Sequence, residues 1–323
     1  MLAVDNLRVS FETGPASPPA IAVDGVSFEV KKGETFAIIG ESGSGKTLTA
    51  RSIIGLQPET ARLSGSIRFD GKELIGLSDR QLAAYRGRHI GFVYQNPLSA
   101  LNPVWTIGEQ IAETIRAHKV ADRKGAYQRV LELLESVHIP DPRRVAAAYP
   151  HQVSGGMLQR AVIAMALSCN PALLIADEPT TALDVTIKAQ IMDLLSELRQ
   201  ELGLTILLIT HDMGVVAELA DRIMVMYSGR VAEMGDADRL MLAPSHHYSR
   251  ALIDTATLSE HAWKTDLPVI PGAAPGLLER PDGCAFRPRC PSMNDQCRAM
   301  PALDFSDGHS IACHHPISAR SDA

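Results

Sequence analysis

Apolar residues along this chain follow two different periods. Near the start they alternate: Leu7, Val9 and Phe11 share one side of a run, with Arg8 and Ser10 on the other. A proline-rich break follows, then a second strand-like run over 22–30. Short unbroken apolar runs at 36–39, 173–176, 204–209 and 223–227 read as buried strands, with 64–71 and 90–94 as two more. Over 104–169 the pattern becomes helical, with Ile107, Ile111 and Ile115 stacked on one face and Val130, Leu133, Leu134 and Val137 on another. A further amphipathic helix over 186–202 would turn Ile187, Ile191, Leu194, Leu195, Leu198 and Leu202 inward. Strands alternating with helices predict an α/β fold whose sheet is covered on both faces. The stretch 96–170 is expected as a helical subdomain inserted into that sheet. Around 262 the composition shifts again. Pro268, Pro271, Pro275, Pro281, Pro288 and Pro291 arrive with four of the five cysteines, which predicts a domain over 1–261 and a loop-rich extension over 262–323.

Composition narrows this only a little. With 46% apolar and 21% charged residues, the 323-residue chain is an ordinary globular sequence with a real core. Its net charge of −6 gives no basic field to draw it onto nucleic acid. The segment from Met1 to Asp5 turns polar too soon for a signal peptide, and no apolar run approaches the roughly 18 residues of a membrane span. The expectation is a soluble cytosolic chain whose membrane role, if any, comes through a partner.

Chemistry enters with Gly40-Glu41-Ser42-Gly43-Ser44-Gly45-Lys46-Thr47, a G-x-x-x-x-G-K-[ST] loop between a predicted strand and a helix-compatible stretch. Its glycines let backbone N–H groups face inward as an anion cradle at a helix start. Lys46 would reach the β- and γ-phosphates and the Thr47 hydroxyl would hold Mg²⁺. Downstream, an apolar strand delivers Asp177 and Glu178 at its C-terminal end, where open α/β sheets bind ligands. Asp177 suits Mg²⁺, and Glu178 suits the general base that polarises the attacking water. Between them, Ser154-Gly155-Gly156 opens a helix and offers a second anion site. Gln95 and His211 each close a strand; taken singly, such residues are more often capping or solvated strand ends.

Taken in order, the loop, Gln95, Ser154-Gly155-Gly156, Asp177-Glu178-Pro179-Thr180, Ala182-Leu183-Asp184 and His211 resemble the nucleotide-binding subunit of an ABC transporter over about 1–255. The resemblance implies an ABC-type P-loop ATPase with a RecA-like core, an N-terminal antiparallel β subdomain and an inserted helical subdomain. It implies ATP and Mg²⁺ as cofactors, with Gln95 sensing Mg²⁺ and water and His211 contacting the γ-phosphate. Ser154, Gly155 and Gly156 would clamp ATP held by an opposite subunit, Asp184 would lie at the dimer seam, and Phe11 would stack on adenine. Where the family usually has Leu and Gln flanking the Ser-Gly-Gly turn, this chain has Val153 and Met157.

The segment from Gln95 through Asn96-Pro97-Leu98-Ser99-Ala100-Leu101-Asn102-Pro103-Val104-Trp105 to Gln110 resembles oligopeptide/dipeptide importer ATPases. In that branch, 96–106 would form part of a groove for a membrane subunit. The implied partners are a paralogous ATPase subunit, two transmembrane permeases and an extracytoplasmic peptide-binding protein, with no nucleic acid. The implied place is the cytoplasmic face of the cell inner membrane, held peripherally. Importers of nickel or a glycan, or a soluble ABC ATPase, remain alternatives. The tail resembles the same branch. Cys284, Cys290, Cys297 and Cys313 are spaced C-x₅-C-x₆-C-x₁₅-C, which suits a [4Fe–4S] cluster, with Zn²⁺ (helped by His309, His314 or His315) and free thiols as alternatives. Such a group is expected to be structural and remote from the phosphates, with redox sensing as the other reading. Cys169 reads as an inert core residue.

Overall fold

The alternating N-terminal run folds as a strand whose buried positions, Leu7 and Val9, flank exposed Arg8; Leu2 and Val4 are buried too, because the register shifts between Val4 and Leu7. In chain order the elements are β1 (Leu2–Phe11), β2 (Ala20–Val30), β3 (Thr35–Ile39), α1 (Lys46–Ile53), β4 (Ala61–Phe69), β5 (Lys72–Glu73), α2 (Asp79–Ala83), β6 (Ile90–Val93), α3 (Pro97–Ala100), α4 (Ile107–Ala117), α5 (Arg123–Ser136) and α6 (Pro142–Ala147). There follow α7 (Gly155–Leu167), β7 (Leu173–Asp177), α8 (Val185–Leu202), β8 (Thr205–Thr210), α9 (Met213–Leu219), β9 (Arg222–Tyr227), β10 (Arg230–Asp236), α10 (Ala237–Leu242), α11 (His247–Thr257), β11 (Asp304–Ser306) and β12 (His309–Ile311). The structure, a computed structural model, describes residues 1–14, 17–181, 183–257, 269–306 and 308–317. Ala182, Pro268 and the expected boundary near 262 lie outside the described residues. Two compact units result, Met1–Ile75 with Thr210–Ala323, and Gly76–Ile209.

In the first unit, β2, β1, β4 and β5 form an antiparallel sheet in that order. A second set of strands runs β11-β12-β10-β9-β3, with β3 and β9 parallel and the others antiparallel. Sequence reading ended its strands at 227 and missed β10. The turn that makes the β9–β10 hairpin is Ser228-Gly229, both with positive φ (46° and 80°), the backbone that matches strand twist in two-residue hairpins. Gly229 is required there, since a Cβ would lie 2.3 Å from the Ala22 carbonyl oxygen. The described tail is not a free appendage: β12 pairs with β10, and Phe286, 2% exposed, packs into the core with Tyr227, Tyr248, Ile223 and Val225. Glu233, wholly buried on β10, is satisfied by the N–H groups of Ser245 and His246 and by the His309 ring at 2.8 Å.

In the second unit, β6, β7 and β8 pair in parallel. Ile107, Ile111 and Ile115 are fully buried on α4, as their spacing predicts. The helical stretch divides into short pieces because Pro97, Pro142 and Pro150 each open a new one, and Asn96, Thr106, Asp122, Asp141 and Ser154 cap starts with their side chains. On α8 the inward face is narrower than the pattern suggests: Ile191, Leu194, Leu195 and Leu198 are buried, but Leu202 is 57% exposed in the last turn, just before the Gly203 cap.

Candidate functional site

The phosphate loop follows β3 and leads into α1 through Gly45, which has φ 98°. Gly40 has φ 148°, and a Cβ on it would lie 2.2 Å from the Met226 carbonyl oxygen, so no other residue fits. Gly43 has φ 79° in open space, where only the backbone angle demands glycine. Lys46 is buried and its ammonium donates to the carbonyl oxygens of Gly40 (2.7 Å) and Glu41 (2.9 Å), curling over the loop it would empty into a phosphate. Ser42 is exposed, Ser44 is buried, and the Ser44 carbonyl oxygen accepts from Gly229 N–H at 2.9 Å. Thr47 is the second residue of α1. Also in this unit, Phe11 ends β1 paired with Ala20 and Ala61, and His211 is exposed beyond β8, beside the helix cap Asp212.

In the other unit, β7 carries the two carboxylates on one strand end. Asp177 is wholly buried. Glu178 turns out of the strand with φ 49°, a left-handed backbone that costs a non-glycine residue about 1 kcal/mol or more. Its N–H donates to Ile209 O (2.8 Å), Gln95 Nε2 donates to its Oε2 (2.8 Å), and so does the Thr181 hydroxyl (2.7 Å). Gln95 and Glu178, 83 residues apart, are thus brought together. Thr181 was missed. Its only signal is that it follows Thr180 in the turn after the carboxylates, where a hydroxyl three residues on can reach back to an acid.

The Ser154 hydroxyl caps α7, accepting from Met157 N–H at a long 3.4 Å, and Ser154 and Gly155 are exposed. A Cβ on Gly155 would meet only Leu183, at 3.7 Å, whereas one on Gly156 would press Ile187 at 2.9 Å. Gly156 is therefore needed for packing, while nothing nearby in the chain demands the bareness of Gly155. Asp184 caps α8 through Ile187 N–H at 2.9 Å. On the same unit, exposed Val104 and Trp105 line a groove with Tyr127 and Tyr149. Gln110 shapes it from beneath by bonding Asn102 N–H and the Asn102 and Trp105 carbonyls.

The tail thiols converge. Cys284, Cys290, Cys297 and Cys313 line one cavity with His314 and His315, and all five cysteines of the chain are free thiols. Cys284 N–H donates to Cys297 O at 3.0 Å across the Gly283 turn, where a Cβ would lie 2.4 Å from Arg298. Burial pushes the thiols of Cys284, Cys290 and Cys313 up, and neighbouring sulfurs push them further. Thiolates in that cavity need a positive partner, which is what a metal group supplies. Among the described residues, no three Cys, His, Asp or Glu side chains are clustered as ligands of one metal ion. The tail also reaches the phosphate loop: Arg289, one residue before Cys290, pairs with Glu41 at 2.6 Å. Cys169 is buried, as expected of a core residue.

Comparison with known proteins agrees with this geometry. A family model described as ABC transporter matches residues 23–181, and one described as oligopeptide/dipeptide transporter, C-terminal region, matches 232–297. A third, an AAA domain described as putative AbiEii toxin, Type IV TA system, matches 146–217. The dipeptide transport ATP-binding protein DppD of Escherichia coli (strain K12) is 46% identical over 98% of this chain and 97% of its own length. The oligopeptide transport ATP-binding protein OppD of Salmonella typhimurium is 44% identical over 98% and 94%. Among solved structures, an ATP-binding cassette in a dimeric post-hydrolysis state bound to ADP and Pi superposes with a TM-score of 0.66 at 31% identity, covering 73% of this chain and 99% of that one. With such identity over nearly its whole length, the chain belongs to the ABC transporter ATP-binding subunits of the oligopeptide/dipeptide family.

Proposed function

We propose that this chain binds and hydrolyses ATP to energise import of di- and oligopeptides through partner permeases. The observation that carries the reading is Glu178, held by Gln95 and Thr181 directly after the buried Asp177. Lys46, drawn off the Gly40 and Glu41 carbonyls, neutralises phosphate charge. Glu178 takes a proton from the attacking water; the water oxygen bonds to the γ-phosphorus as the bond to the β,γ-bridging oxygen breaks, leaving ADP and phosphate. His211 contacts the γ-phosphate and Phe11 the adenine. The Thr47 hydroxyl and the Asp177 carboxylate are each hard oxygen donors of the kind that would hold Mg²⁺, with Gln95 sensing it. Mg²⁺ held there would neutralise charge on the phosphates.

Ser154, Gly155 and Gly156 serve ATP bound to a paralogous ATPase subunit, with Asp184 at the seam between the two. Exposure of Ser154 and Gly155, and the open room around Gly155, support that reading. The groove at Val104 and Trp105 fits a cytoplasmic helix of a permease, and two permeases with an extracytoplasmic peptide-binding protein complete the importer. No helix among the described residues is long and apolar enough to cross a membrane. A peripheral place on the cytoplasmic face is the reading supported by likeness to transport ATP-binding proteins. The transport reading is tested by labelled dipeptide uptake into vesicles holding the assembled complex. ATP-dependent accumulation is expected. Accumulation of nickel or a glycan but not of peptide would overturn the substrate, and uptake unchanged by Lys46→Ala would overturn the coupling.

For the tail, a [4Fe–4S] cluster held by Cys284, Cys290, Cys297 and Cys313 is the reading supported by four thiols around one cavity. Zinc is the alternative, but it would need thiolates only about 3.8 Å apart, given a Zn–S bond of roughly 2.3 Å. Anaerobically purified protein should carry about four irons per chain. Stoichiometric zinc without iron would decide the other way.

A further inference from the structure

Glu41 occupies a variable position of the phosphate loop, yet it is bound at every polar atom. Its N–H donates to the Tyr248 hydroxyl at 2.8 Å, and its carbonyl oxygen accepts from Lys46 at 2.9 Å. Both carboxylate oxygens are taken by one guanidinium, with Arg289 Nη1 at 2.6 Å and Nη2 at 2.9 Å. This is the two-pronged, charge-assisted geometry that fixes position as well as charge. Arg289 is itself anchored. Its side chain is 6% exposed, its Nε donates to Pro271 O at 2.8 Å, its Nη1 to the Tyr227 hydroxyl at 3.2 Å, and its guanidinium lies over the Tyr227 and Phe286 rings at 5.8 and 5.9 Å. The turn that carries it, Arg287–Arg289, leads straight into Cys290.

We infer that Arg289 is a positioning residue for nucleotide binding: through Glu41 it sets the phosphate loop, and so couples the fold of the cysteine turn to ATP affinity. A loop whose Lys46 must leave two backbone carbonyls on binding needs the carbonyls held in place by something else, and Glu41 is the residue so held. Breaking the pair from either side leaves a mostly buried charge without its partner, which favours other loop conformations over the binding one. The inference rests on 40–47 being the ATP loop, and not on what the cysteines hold.

The test is a double-mutant cycle on the full chain, with Kd measured by titrating ATP and thermal unfolding recorded alongside. Arg289→Gln and Glu41→Gln should each raise Kd by about tenfold, the size expected from losing a charge-assisted bond. The double variant should be no weaker than the weaker single, and Arg289→Lys should recover part of the affinity. A merely structural role would lower the unfolding temperature while leaving Kd within about twofold, and that result overturns the inference, as would losses that multiply in the double variant. If Arg289→Gln does not fold, Glu41→Gln and Arg289→Lys decide, since both keep the turn's packing. Absence of ATP binding by the wild-type chain would instead remove the nucleotide reading on which the inference rests.

Discussion

The phosphate loop and the end of β7 are built by opposite means. At 40–47 the backbone does most of the shaping: Gly40 and Gly45 exist because a Cβ has no room or no allowed angle, and among the intervening side chains only that of Glu41 is gripped from outside the loop, by Arg289. At the end of β7, Glu178 is forced into a left-handed backbone that a glutamate avoids, and two side chains, distant Gln95 and nearby Thr181, hold its carboxylate in place. The first arrangement tolerates no added atom at Gly40. The second tolerates no lost neighbour. Affinity should therefore be damaged by an addition at Gly40 or by loss of the Glu41–Arg289 pair, and turnover by deletions around Glu178.

The largest effect is expected from Gly40→Ala, whose new methyl meets the Met226 carbonyl oxygen at 2.2 Å and forces the loop away from β9. ATP binding should become undetectable by titration, with stability falling on the order of 4 kcal/mol. Next comes Asp24, which stands behind the loop, since its N–H donates to Gly229 O while Gly229 N–H donates to Ser44 O. Burial alone would push its carboxyl up, but the hydrogen bond and charge of Arg230, then Arg8 and Arg280, outweigh it and hold the group below the usual carboxylate range. A lowered folded pKa means stability that is present above about pH 4 and lost as pH falls through the folded value. Asp24→Asn should therefore cost roughly 3 kcal/mol in denaturant unfolding at pH 7, and distinctly less at pH 3.

Thr181→Val removes one bond to Glu178 without changing side-chain size. It should lower kcat roughly tenfold in the assembled transporter while Kd for ATP stays as in the wild type. A raised Kd with unchanged kcat would break the division between the two regions. The smallest effect belongs to Gly43→Ala, where open space leaves only the cost of φ 79°, about 1 kcal/mol, visible as a slightly lower melting temperature.

What could be read from the chain follows the same division. The loop, the carboxylates and Ser154 lie in contiguous motifs whose chemistry depends on local backbone, so residue order alone was enough to find them. The strands at 36–39 and 173–176 were legible because burial on both faces leaves no polar position. β10 was not, because it depends on a Ser228-Gly229 hairpin followed by Arg230, Glu233 and Asp236, polar residues satisfied by Asp24, His309 and a helix start. Thr181 and Arg289 were missed for a related reason. Each acts by a side-chain bond, and Arg289 finds its partner 248 residues away, a pairing that no local pattern encodes.

The most direct measurement compares ATP binding and steady-state hydrolysis for the assembled transporter with Glu178→Gln at this site and the matching change in its partner subunit. Glutamine keeps the size and the hydrogen bonds to Gln95 and Thr181 but cannot accept the water's proton. The expected result is wild-type Kd with turnover lower by about 10²–10⁴-fold. Wild-type turnover in that doubly changed complex would contradict the assignment of Glu178 as the base.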